Sequence, residues 1–131
     1  MRINITAGEC LKDILQAIYP DEEFVPFNEA MIQGEYKSAL FSDEFITERS
    51  IVHKVTEEEY RENMSDFLGL LANINGYDEI VLWFGDELFC RCNRDVVVKT
   101  LNQHNYNGNV LLHIVDEETG EVLQTSDMSG P

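Results

Sequence analysis

Positive charge is scarce in this sequence. Nine Lys and Arg stand against 25 Asp and Glu, a formal net charge of −16, and a surface this acidic repels phosphate backbones and anionic lipid. Broad electrostatic binding to nucleic acid is therefore disfavoured, and so is a membrane surface as partner. Long hydrophobic runs are also missing. The longest, Ile80 to Phe84, falls far short of the roughly 20 residues a membrane-spanning helix needs. Cysteine is sparse: Cys10, Cys90 and Cys92 are odd in number, with two of them one residue apart. That is a poor disulfide framework and predicts free thiols in a reducing compartment. The opening residues Met1-Arg2-Ile3-Asn4-Ile5 alternate at once, without the apolar stretch of a secretory signal, so a cytoplasmic location is expected. Gly-x-Gly-x-x-Gly, Gly-Lys-Ser/Thr and Gly-x-Ser-x-Gly motifs do not occur. Dinucleotide, nucleoside-triphosphatase and hydrolase readings lose their sequence support.

What is present is core material, 44% hydrophobic over 131 residues, enough for one domain. The patterning places that domain over residues 1–124, with 125–131 as a flexible tail. Arg2 to Gly8 reads as a short strand ending in glycine, and Leu11, Ile14, Leu15 and Ile18 give the next segment helical spacing. Pro20 stops that helix, and Pro26 inside Glu23–Phe27 argues for a short or edge strand. Residues 28–55 have mixed periodicity and read as an irregular insertion with one or two short helices, one of them capped by Ser42. Thr56-Glu-Glu-Glu59 is a capping box, followed by a helix bearing Tyr60, Met64, Phe67, Leu68 and Leu71 and closed by Asn75-Gly76.

Glu79 to Phe84 is apolar on successive residues, as strands covered on both faces are, and belongs at the centre of a sheet. Glu87 to His104 reads as helix, with Leu88, Val97 and Leu101 apolar; Asn109 to Val115 reads as strand, and Glu121 to Gln124 could add a C-terminal β-hairpin. Strand and helix thus alternate. The expected fold is an α/β three-layer sandwich, Rossmann-like or flavodoxin-like, on a mostly parallel sheet of four to five strands with right-handed crossovers.

In such sheets ligands bind beyond the carboxyl ends of the strands, where neighbouring crossovers leave to opposite faces. A strand order of 2-1-3-4 would put two glycine-acid turns side by side there: Gly8-Glu9-Cys10 and Gly85-Asp86-Glu87. Each glycine permits a tight turn, and each acid sits at a helix start, where free amides favour its charge. Helix capping alone accounts for both turns; a polar site is the sharper alternative. Glu9, Asp86 and Glu87, joined by Asn28 or Glu29, would be hard oxygen ligands suited to Mg²⁺, and with Mg²⁺ could assist phosphoryl or phosphodiester transfer. Arg49 could reach an anionic ligand or Glu9 and Asp86, although a structural salt bridge is the simpler role. Cys90 and Cys92 point apart on a helix, which suits packing better than joint metal ligation, while a helix start with Arg91 and Arg94 nearby would lower a thiol pKa. His53, His104 and His113 are scattered and read as structural or surface residues.

Four segments, Ile3-Asn-Ile-Thr-Ala-Gly-Glu9, Val25-Pro-Phe-Asn-Glu-Ala-Met31 with Gly34, Phe45-Ile-Thr-Glu-Arg49 and above all Glu79-Ile-Val-Leu-Trp-Phe-Gly-Asp-Glu-Leu-Phe-Cys90, resemble the bacterial family catalogued as domain of unknown function 1835. The likeness runs through nearly the whole chain. It implies the α/β fold and marks Gly8, Glu9, Asn28, Arg49, Asp86 and Glu87 as candidate positions, and it supplies no activity. Members usually carry Gly-Asp after the first strand and a Gln in the motif after the tryptophan strand, where this chain has Glu9 and Arg91. The resulting expectation is a small-ligand or protein-binding domain with its polar site at Gly8, Glu9, Asn28, Arg49, Gly85, Asp86 and Glu87. The alternatives are the Mg²⁺-dependent transferase and a homodimeric module built on an edge strand.

Overall fold

A computed structural model describes residues 1–128. Five strands, β1 (Arg2–Thr6), β2 (Phe24–Pro26), β3 (Glu79–Phe84), β4 (Asn109–Val115) and β5 (Val122–Asp127), form one sheet in the order β2-β1-β3-β4-β5. The first four are mutually parallel, and β5 runs antiparallel to β4. Five helices accompany them: α1 (Glu9–Ile18), α2 (Asp43–His53), α3 (Glu57–Asn63), α4 (Ser65–Ala72) and α5 (Leu88–Gln103).

Alternation along the strands assigns the two faces. Ile3, Ile5, Ile80, Leu82, Phe84, Val110, Leu112 and Ile114 belong to the larger core with α2 to α5, whereas Val81, Trp83 and Val115 pack with Leu11 and Leu15 of α1. The molecule is therefore an α/β sandwich with a thick layer on one side and a single helix on the other. β3 is buried on both faces from Ile80 onward, which is why its apolar residues run without alternation. The short edge strand containing Pro26 is also as expected, since an edge does not need the missing amide.

Three boundaries differ from the sequence reading. The helix expected from the capping box through Leu71 is bent at Met64, whose φ of −100° and ψ of 9° separate α3 from α4. Hydrogen bonds from Met64 N to Tyr60 O and from Leu68 N to Met64 O carry the chain through the bend. The bend lets Tyr60 reach inward to Glu29 while Phe67 packs edge-on to Phe27 at 4.9 Å. Asn75-Gly76 lies beyond the end of α4, within a single 3₁₀ turn, Ile74–Gly76. Residues 125–127, expected in a flexible tail, instead complete β5: His113 pairs with Thr125 and Leu111 with Asp127. The rest of that tail beyond Met128 lies outside the described residues. Leu88, expected among the apolar positions of its helix, is 67% exposed, while Cys90 in the same turn faces the core.

Candidate functional site

The sheet order places the two glycine-acid turns on neighbouring strands. Thr6 is in register with Trp83, and Ala7 N donates to Trp83 O at 3.0 Å, so Gly8 and Gly85 leave the sheet at nearly the same level. From there α1 goes to one face and α5 to the other. That divergence is the geometric condition for a crevice at the carboxyl edge. Gly8 has a φ of 105°, a conformation costly to any side chain, and it is glycine for that reason.

The acids at this edge make no capping hydrogen bond through their side chains. Gly8 and Glu87 occupy the N-cap positions of α1 and α5, and neither helix receives a side-chain cap. Glu9 Oε1 accepts instead from Asn28 Nδ2 at 3.2 Å, and the same amide donates to Asn63 O at 3.3 Å. Glu9 and Asn28 are thus brought together, with Asn28 bridging to the end of α3. Asp86 pairs with Arg91, one turn into α5, at 3.1 Å. Glu9, Asp86 and Glu87 are all exposed.

Gly85 has a different explanation from the one the sequence suggested. A Cβ built there would lie 2.6 Å from the Glu117 carboxylate, so the group that approaches the glycine closely is the chain's own side chain from the β4–β5 loop. Glu117 also accepts from the Cys90 thiol at 3.2 Å. Among the described residues, the ligand-type atoms that gather are those of Glu87, Cys90 and Glu117, within 4.8 Å of one another, and not the Glu9, Asp86 and Glu87 set. Burial first, then the neighbouring Glu117, push the Cys90 thiol up to about 12. This reverses the lowering expected from a helix start: desolvation outweighs the dipole. A protonated thiol leaves Glu87 and Glu117 as the two oxygen-donor side chains of the group. The three cysteines are free.

Arg49 is not at the rim. Its side chain is fully buried, and its guanidinium spans the Glu29 carboxylate, Nε to Oε2 and Nη2 to Oε1, both at 3.0 Å. Glu29, buried as well, also accepts from the Ala30 amide at 2.7 Å, from the Tyr60 hydroxyl at 2.5 Å and from His53 Nε2 at 2.5 Å. A carboxylate only accepts, which puts the His53 proton on Nε2. Burial alone would raise the Glu29 carboxyl, but the hydrogen bonds from Arg49, Tyr60 and Ala30 together with the Arg49 charge hold it below the ordinary carboxylate range. Burial and the adjacent Glu29 drive the Tyr60 phenol far above its usual value. Asn93 of α5 joins this cluster to the sheet side, donating to Glu29 O at 2.7 Å and accepting from Met31 N at 2.9 Å.

Sequence reasoning missed Tyr60, His53 and Glu117 as polar partners. His53 carried a usable signal, lying four residues after Arg49 on one helix face. Glu117, one acid of an acidic turn, carried none. Clefts are found elsewhere on the molecule, and neither of the following two is lined by Gly8, Glu9, Gly85, Asp86 or Glu87. One of about 620 Å³ is at the amino end of the sheet, where Arg2 and Glu22 neutralise each other at 2.9 Å. Another of about 400 Å³ runs along the α1 side beside Trp83, His113 and Tyr19. In comparisons with known proteins, no family model, curated protein or solved structure matches this chain.

Proposed function

We propose that this chain is a binding domain that takes a small, positively charged polar ligand at the carboxyl edge of its sheet, between Gly8-Glu9 and Gly85-Asp86-Glu87. The observation that carries the reading is the adjacency of β1 and β3 with α1 and α5 departing to opposite faces, the arrangement at which open α/β sheets receive ligands. The sign of the ligand follows from the side chains. Arg49, the cation that would have met an anion, is consumed by Glu29. Arg91 is paired with Asp86, and the exposed charged groups on both turns, Glu9, Asp86 and Glu87, are carboxylates. The kinship with domain of unknown function 1835 belongs to the same proposal and adds positions without chemistry.

Mg²⁺ and a linear polyamine serve as probes. Each should raise the melting temperature by mass action, and the rise should fall away in the Glu9→Gln, Asp86→Asn, Glu87→Gln triple variant. A chain of net charge −16 gains something from any cation, so Glu58, Glu62 and Asp66, neutralised together on the exposed α3–α4 surface, provide the control. An equal loss of response in both triple variants, or no response in the unmodified chain, overturns the proposal.

A further inference from the structure

Two carboxylates converge on one thiol beyond the end of β3, and no cation of the chain joins them. Glu87 is the N-cap of α5 and Cys90 its third residue, positions whose side chains meet at a helix start. Glu117 arrives from the β4–β5 loop, 27 residues on from Cys90. The ligand-type atoms of the three lie within 4.8 Å of one another, with Cys90 Sγ 3.2 Å from a Glu117 oxygen. Glycine at 85 is what admits the Glu117 carboxylate, since a Cβ there would stand 2.6 Å from it. Like charges brought this close repel. At the opposite end of the sheet, Glu22 and Glu79 are drawn to one point as well, and they share the Arg2 guanidinium. Among the described residues, neither Glu87 nor Glu117 forms an ion pair, because the neighbouring Arg91 is committed to Asp86 and Arg94 to Asp95.

We propose that Glu87, Cys90 and Glu117 bind one Zn²⁺ ion, leaving the fourth position of a tetrahedral site to water. The donor set selects the ion. Sulfur disfavours Mg²⁺ and Ca²⁺, two carboxylates disfavour Cu⁺, and one thiolate with two oxygen donors suits a borderline divalent cation. Size agrees. Zn–S of about 2.3 Å and Zn–O of about 2.0–2.2 Å set ligand atoms roughly 3.5 Å apart around the ion. Cys90 and Glu117 already stand near that spacing, and Glu87, exposed and flexible, closes the remainder by side-chain rotation. The ion enters on the Glu87 side, because Glu117 is half-buried and Cys90 is buried. Binding displaces the thiol proton, which Cys90 otherwise donates to Glu117, into solvent. It also ties the β4–β5 loop to the first turn of α5. The site shares Glu87 with the proposed cation-binding edge and uses neither Glu9 nor Asp86, so the two readings fail separately.

The test is titration of the reduced protein with Co²⁺ under argon, read by the sulfur-to-cobalt charge-transfer absorption that only a coordinated thiolate gives, and then displacement by Zn²⁺. The parent for these measurements carries Cys10→Ser and Cys92→Ser, which removes the other two thiols. One equivalent of Co²⁺ should bind, one equivalent of Zn²⁺ should abolish the absorption, and millimolar Mg²⁺ should leave it in place. Glu87→Gln and Glu117→Gln should each weaken Co²⁺ binding at least about tenfold, the loss that even an outer partner of a metal site produces, with unchanged circular dichroism. Cys90→Ser should remove the absorption; if that variant does not fold, the two glutamate variants decide. Glu9→Gln with Asp86→Asn should keep the Co²⁺ affinity, whatever becomes of the Mg²⁺ and polyamine responses. No charge-transfer absorption at millimolar Co²⁺, an absorption that survives Cys90→Ser, or a Glu117→Gln protein that binds Co²⁺ as tightly as the parent would each overturn the proposal. An equal loss in the Glu9→Gln, Asp86→Asn variant and in Glu117→Gln would overturn it too, by assigning the metal to general acidity.

Discussion

Glu29 is the residue on which most of the buried polar chemistry converges. Five hydrogen-bond donors from Ala30, Arg49, His53 and Tyr60 meet its two oxygens, and no buried side-chain polar atom among the described residues lacks a partner. Removing one member of a buried ion pair strands the other, which costs about 3–5 kcal/mol. Arg49→Met and Glu29→Gln should therefore each lower the free energy of unfolding in urea by about that amount. A pH dependence follows. Because the folded Glu29 carboxyl lies below its unfolded value, its contribution is complete above the unfolded pKa of about 4.3. It is lost as pH falls through the folded value. Glu29→Gln should flatten that part of the acid limb of the stability profile, measured by urea titration at successive pH values; an unchanged limb would mean that other carboxylates govern it.

At the scale of elements, the insertion between β2 and β3 shows how local signals and packing divide the work. Ser42 accepts from Phe45 N at 3.2 Å, and Thr56 and Glu59 complete a reciprocal capping box. Both starts were legible because a cap is written within four residues. The bend at Met64 was not legible: the sequence through Tyr60, Phe67 and Leu71 keeps one apolar side, and only the separate demands of Glu29 on Tyr60 and of Phe27 on Phe67 require it. Thr56→Ala should cost about 1 kcal/mol through loss of the cap, seen as a lower denaturation midpoint with an unchanged m-value. A changed m-value would instead indicate that α3 detaches as a unit.

For the whole molecule, the net charge of −16 makes self-repulsion a term in stability. Raising monovalent salt from low to physiological strength shortens the screening length from about 30 Å to about 8 Å and should raise the melting temperature, read by calorimetry at a concentration where the chain is monomeric. A melting temperature that falls with salt would show that the ion pairs, Arg2–Glu22, Arg49–Glu29 and Arg91–Asp86 among them, outweigh the repulsion. The sheet order has consequences at this scale too, since it alone brings Gly8-Glu9 and Gly85-Asp86-Glu87 to one rim.

The sequence by itself determined the α/β class, the central β3 strand, the short β2 edge, the helix caps and the absence of any helix long and apolar enough to cross a membrane among the described residues. These are properties of nearest neighbours and periodicity, which the chain carries locally. Tertiary structure decided where the charges went. Arg49 lies 20 residues from Glu29 and Glu117 lies 27 from Cys90; pairing them depends on which strands adjoin and how far loops reach, and a charged side chain carries no local mark of whether it will end at the surface or be desolvated against a partner. Gly85 makes the point in one residue. Its type was legible as a call for close approach, but the approaching group, Glu117 from the next strand's loop, was fixed only when β3 and β4 came together.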